Sequence, residues 1–151
     1  MEMALCLPLL IWLTFAIIEY GIVINTTMTL TQLARDTARF VAIHGGETNA
    51  DAAATVNGSI RAFLKAECAG QSINYSDLTV VIGTMDAGTG VVTANAASAR
   101  LQGNVQTVQI SYFMGNKISV SAKLVPGLSS FTDNTKPVIK KSSVISEKAP
   151  G

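Results

Sequence analysis

The sequence predicts an α+β chain: a long N-terminal apolar helix serving as a stalk, then a second helix packed on a small antiparallel β-sheet head. Three observations predict it. Residues 3–18 (MALCLPLLIWLTFAII) carry no charge. Leu30, Leu33, Ala34, Thr37, Val41 and His44 then recur at three- and four-residue steps, with no turn signal separating them from the apolar run. Beyond Gly45-Gly46 the helical period gives way to one more helical stripe and several short β-branched runs set between Gly, Asp and Pro. The division falls at residue 45: residues 1–45 form the helix and residues 46–151 the head.

The first helix has two halves. As a helix, Met3 to Ile24 spans roughly 33 Å at about 1.5 Å per residue, enough to cross a bilayer core. Gln32, Arg35, Asp36 and Arg39 fall largely between the apolar positions of the second half, as in an amphipathic helix. Pro8 lacks the backbone donor, which predicts a kink or local break between Ala4 and Leu9. Glu19 lies within the apolar stretch, where an unpaired carboxylate costs at least a few kcal/mol. Two readings of it stand level: an interfacial position beside Tyr20, where ring and carboxylate both reach water, or burial against a neighbouring subunit. Glu2 by itself reads as a solvated helix end.

These residues resemble a known family. Glu2, Ala4-Leu5, Leu7-Pro8-Leu9-Leu10 and Ile18-Glu19-Tyr20-Gly21 resemble the opening of TadE-like pseudopilins, the pilin-related proteins of tight-adherence secretion systems. LTQLARDTARFVAIHGG is similar to the end of the family's helix, and SSVISEK resembles its last strand. The resemblance covers residues 2–46 and reappears near the C-terminus. It implies type IV pilin-like behaviour: a precursor in the bacterial inner membrane, cleavage by a prepilin peptidase, and packing on an assembly platform with copies of itself into an extracellular filament. It also implies that Glu2 neutralises a neighbour's terminal amine, and it makes Glu2, Pro8 and Glu19 the assembly residues. The family's Glu has several residues before it, whereas only Met1 precedes Glu2 and no basic leader is present; the start is processed, truncated or unusual. The first base is Arg35, so membrane orientation cannot be read from flanking charge.

Composition narrows the function. The net charge of +1 argues against nucleic acid as a partner. Only 14% of residues are charged, low for a soluble monomer and natural for a chain that buries its stalk. Cys6 near the stalk tip and Cys68 in the head are held tens of Å apart by an unbroken helix, too far to bridge within one chain; each reads as a small buried hydrophobe before it reads as half of an intermolecular bridge. One histidine and two cysteines offer no metal constellation, and no cofactor is expected. His44 before Gly45-Gly46 fits a helix C-terminus, a glycine there taking the left-handed cap. Gly45 and Gly46 are the candidate hinge.

Within the head, Thr48 and Asp51 resemble a capping box, opening a helix from Asn49 to about Cys68 with Ala53, Val56, Ile60, Phe63 and Leu64 on one stripe. Gly58 weakens it by about 1 kcal/mol. Leu78 to Ile82 is a strand, Asp86 to Gly90 a turn and Val91 to Ala94 a short return strand; Ala94 to Gly103 has no period and reads as loop. Strands 105–114 and 117–124 follow, joined by a three-residue loop 115–117 that brings their apolar faces together. Residues 128–137 read as loop, and 138–146 as a last strand whose Lys140 and Lys141 mark a sheet edge. The basic C-terminal third reads as a solvated edge before it reads as an adhesive patch. Three Asn-x-Ser/Thr triplets occur, of which only Asn74 sits where glycosylation makes sense. No nucleophile elbow, phosphate loop or carboxylate pair appears, so a structural role is expected rather than catalysis. The leading expectation is a structural subunit of a Tad-type filament. The alternative is a single-span anchored exported domain, a minor pseudopilin or assembly factor, that does not polymerise.

Overall fold

The computed structural model describes residues 2–71, 73–100, 103–114 and 138–145, with residues 2–5 and 139–145 described by backbone alone. Helix α1 (Glu2–His44) is followed by helix α2 (Ile60–Ala69) and strands β1 (Leu78–Met85), β2 (Val92–Ala94), β3 (Val105–Tyr112) and β4 (Val138–Ile145). The strands form one sheet in the order β2-β1-β3-β4, with β1 and β2 antiparallel. The α+β class is therefore as expected. By their contacts the residues fall into two units, 1–28 with 112–138 and 29–111 with 139–151.

α1 stays helical through Pro8, so the expected local break is not present. From Leu7 to Ile18 every large apolar side chain is at least 40% exposed. In this half the Thr14 hydroxyl donates to the Leu10 carbonyl at 2.9 Å, which satisfies it without water. From Glu19 onward one stripe is buried: Glu19, Val23, Thr26, Leu30, Leu33, Ala34, Thr37, Ala38, Val41 and Ala42. The three- and four-residue steps keep these on a single face. The Thr37 hydroxyl donates to the Leu33 carbonyl at 2.6 Å, so this fully buried polar group is satisfied inside its own helix.

The second helix is shorter than the sequence suggests. Residues 45–59 form turns, and α2 starts at Ile60. Gly58 has φ of +83°, a left-handed conformation that no helix passes through, so it terminates where it was expected only to weaken. Ser59 is the N-cap: its Oγ accepts from the Ala62 N–H at 3.1 Å and donates to the Ala53 carbonyl at 3.0 Å. Thr48 is exposed and Val56 is 37% exposed. Ile60, Leu64 and Cys68 supply the buried stripe of α2. Phe63 stacks on Phe40 of α1 with ring centroids 4.5 Å apart, joining the two helices in the second unit.

β1 and β2 make the expected hairpin, with Gly83 opposite Ala94 and Met85 opposite Val92. The Asp86 carboxylate builds the turn, accepting from Gly88 N–H at 2.7 Å and Thr89 N–H at 3.1 Å. Gly90 closes it at φ of +66°. A Cβ on Gly83 would lie 1.7 Å from the Thr93 carbonyl oxygen, so only glycine lets β2 cross this close. The stretch after β2 holds a single 3₁₀ turn, Ala97–Ala99. β3 is interior to the sheet, and Gln106, Thr107, Val108, Ile110, Ser111 and Tyr112 are all buried on it. Among the described residues β4 is the last strand on its side of the sheet, where its two lysines suggested an edge. The expected strand 117–124, its loop 115–117 and the loop 128–137 lie outside the described residues.

Candidate functional site

The candidate assembly residues sit on one helix. Glu2 is the first residue of α1, and its side chain lies outside the described ones. Pro8 is exposed on the apolar half. Glu19 is 7% exposed while Tyr20 beside it is 57% exposed. The carboxylate therefore turns into the protein and the ring turns out of it. Among the described residues Glu19 Oε2 has no hydrogen-bond partner, an arrangement that is costly in a low-dielectric setting. The structure does not bring Glu2 and Glu19 together: seventeen positions of continuous helix separate them, roughly 25 Å at 1.5 Å per residue.

The candidate hinge is built differently from the expectation. Neither Gly45 nor Gly46 has positive φ; the left-handed glycines are Gly58, Gly90 and Gly103. The Gly45 N–H still donates to the Val41 carbonyl at 2.8 Å, continuing the helical pattern by one residue. A Cβ at Gly45 would lie 2.4 Å from that carbonyl oxygen, so the glycine serves close backbone approach rather than a left-handed cap. His44 Nδ1 lies 3.0 Å from Glu47 Oε1, and its ring packs on Phe40 at 4.7 Å.

The residue that sequence reasoning missed is Arg100. Its side chain is 3% exposed. Nη1 donates to the Gly45 carbonyl at 3.1 Å and Nη2 to the Asn95 carbonyl at 2.7 Å. Nη2 also lies 2.8 Å from Asp51 Oδ1, while Asp51 Oδ2 accepts from the Ala97 N–H at 2.9 Å. One guanidinium thus ties the end of α1, the turns after it and the loop after β2, using the fork geometry that an ammonium lacks. Asp51, read in the sequence as part of a capping box, is the counter-ion instead. A cleft of about 330 Å³ opens beside this tie, lined by α2, β1 and the residues after β2. Among the described residues no cluster of three His, Cys, Asp or Glu side chains forms.

The apolar half of α1 decides the comparison with known proteins. Residues 1–39 match the model of the TadE-like protein family. The TadE-like segment ends within the amphipathic half of α1, five residues before the helix does. It contains Glu2, Pro8 and Glu19, and it leaves out Gly45, Gly46 and the Arg100 tie. No curated protein and no solved structure matches the chain. By length and composition, the helix from Cys6 onward can cross a membrane: an 18-residue stretch of it has a mean hydropathy of 2.1.

Proposed function

We propose that the chain is a pilin-like structural subunit of a Tad-type appendage, polymerising through its N-terminal helix, with no catalytic role. One observation carries this reading: the TadE-like match coincides with a helix that leaves every large apolar side chain from Leu7 to Ile18 at least 40% exposed. Such a surface has to be covered, first by lipid and then by equivalent helices of other copies. In this account the subunit waits in the bacterial inner membrane, a prepilin peptidase and an assembly platform act on it, and the filament stands outside the cell. Glu2 pairs with a neighbour's terminal amine. Glu19, whose Oε2 lacks a partner among the described residues, receives one on assembly. Gly45 and Gly46 form the joint at the helix end.

The test is negative-stain microscopy of material sheared from native cells, with mass spectrometry of any fibre. Fibres containing this chain, lost in the Glu2→Ala variant although that variant still inserts in the membrane, are the expected result. Normal fibres from Glu2→Ala would refute the role given to Glu2. The second reading, a non-polymerising membrane-anchored domain, is favoured by the capacity of the same helix to span a bilayer alone. Gentle detergent extraction separates the two, since that reading requires single particles and no sedimentable polymer.

A further inference from the structure

β1 is covered unevenly along its outer edge. The Asn95 N–H donates to the Ile82 carbonyl at 2.9 Å and the Asp86 N–H to the Val91 carbonyl at 3.0 Å, so even-numbered residues of β1 aim their backbone groups toward β2. β2 is three residues long and ends at Ala94, opposite Gly83. The next even position, Val80, directs its N–H and C=O past the end of β2, where among the described residues no strand lies. The cleft of about 330 Å³ opens there, between this edge and α2. Its lining includes Ile60, Leu64, Val80, Arg61 and Arg100. The edge sequence Leu78-Thr79-Val80-Val81 carries no Lys or Pro, the usual devices that stop an exposed edge from pairing.

Charge identifies the occupant. Asp51 is the acid of the lining, and it is engaged by Arg100 and the Ala97 N–H. Arg61 is exposed at the cleft, and among the described residues no acid pairs with it; Lys65 follows one turn later on the same face of α2, also exposed. With Arg100 and Asp51 paired to each other, the lining leaves the Arg61 cation without a counter-ion among the described residues. We infer that this cleft accepts an extended, carboxylate-bearing strand of a partner protein, which continues the sheet at Val80, lays an apolar side chain beside the half-exposed Val80 side chain, and sets its acid against Arg61. This is recognition by strand addition: main-chain bonds supply affinity, and the cation selects the sequence. It does not depend on the filament reading, since it uses residues outside the TadE-like segment.

The test uses the full chain in detergent micelles and two labelled extended pentapeptides of alternating Val and Thr, one with a central Glu and one with a central Lys. Fluorescence polarisation should show the Glu peptide binding at least tenfold more tightly than the Lys peptide. Arg61→Glu, at an exposed position, should reverse that order while leaving the circular dichroism spectrum of the chain unchanged. Amide exchange at Val80 should slow at least tenfold on adding the Glu peptide. Equal binding of the two peptides, no binding of either, or an unchanged preference in Arg61→Glu would overturn the proposal. So would a Val80 amide already protected in the peptide-free chain and released on dilution, which would give the edge to a second copy.

Discussion

Replacing Arg100 by Ala removes a guanidinium that three segments share, and the structure sets the size of the loss. The Gly45 and Asn95 carbonyls lose the guanidinium donors at 3.1 and 2.7 Å. A buried acceptor left unpaired costs about 1–3 kcal/mol, the Gly45 carbonyl more than the half-buried Asn95 one. The Asp51 contact adds less than a fully buried pair, because the Asp51 side chain is 45% exposed and can return to water. The sum is about 3 kcal/mol, the low end of what breaking a buried pair from one side costs. For a domain of this size that corresponds to a fall in Tm of about 10 °C. Arg100→Lys keeps the charge but cannot reach three acceptors at once, and should recover less than half of the loss. Asp51→Asn should cost about 1 kcal/mol, since the guanidinium keeps both carbonyls. The assay is thermal and denaturant unfolding of the full chain in a mild detergent, followed by circular dichroism. An Arg100→Ala variant within 1 kcal/mol of the parent, or Asp51→Asn as damaging as Arg100→Ala, would refute this account of the tie.

Gln106 is 1% exposed, and among the described residues neither atom of its amide has a hydrogen-bond partner; Gln106→Leu should raise stability by about 1 kcal/mol in the same unfolding assay. Burial, and secondarily the Glu67 carboxylate, pushes the Cys68 thiol above its ordinary range. Cys68 should therefore resist iodoacetamide at pH 8 in the folded chain and react on unfolding, read by mass spectrometry. The backbone N–H groups of Thr89, and then Gly88, hold the Asp86 carboxyl below its usual value. Its folded pKa being the lower one, the turn's contribution is present above the unfolded value and is lost as pH falls through the folded one. Exchange protection in residues 86–91, taken relative to the intrinsic rate at each pH, should fall in acid, and Asp86→Asn should flatten that dependence. Gly83→Ala should disrupt the β1–β2 hairpin, because the Thr93 carbonyl occupies the space of the added methyl group; loss of exchange protection at Thr84 and Thr93 checks it.

The parts of the fold that follow a local period were legible in the sequence. The stripe Leu30, Leu33, Ala34, Thr37, Val41 is buried as the spacing required, whereas His44, at the helix end, is only half-covered. The Asp86 turn follows from a side chain that acts within a few residues of itself. The start of α2 was misplaced because Thr48 and Asp51 mimic a capping box, while Asn57-Gly58, a turn dipeptide, held the better signal. Arg100 could not be found this way at all. Its partners Asp51 and Gly45 lie about fifty residues upstream, and no periodicity encodes a pairing made across the fold. Glu19 was legible as an anomaly in an apolar run, but its turn into the protein, away from exposed Tyr20, is set by packing that no local pattern encodes.

The central claim is that the apolar half of α1 is made to pack against copies of itself. A photo-crosslinking residue placed at Ile17, which is 66% exposed on that half, tests it most directly in native cells. The account predicts a ladder of covalent dimers, trimers and higher multimers of this chain, joined helix to helix. Crosslinks to lipid alone, with the chain remaining monomeric, would contradict it.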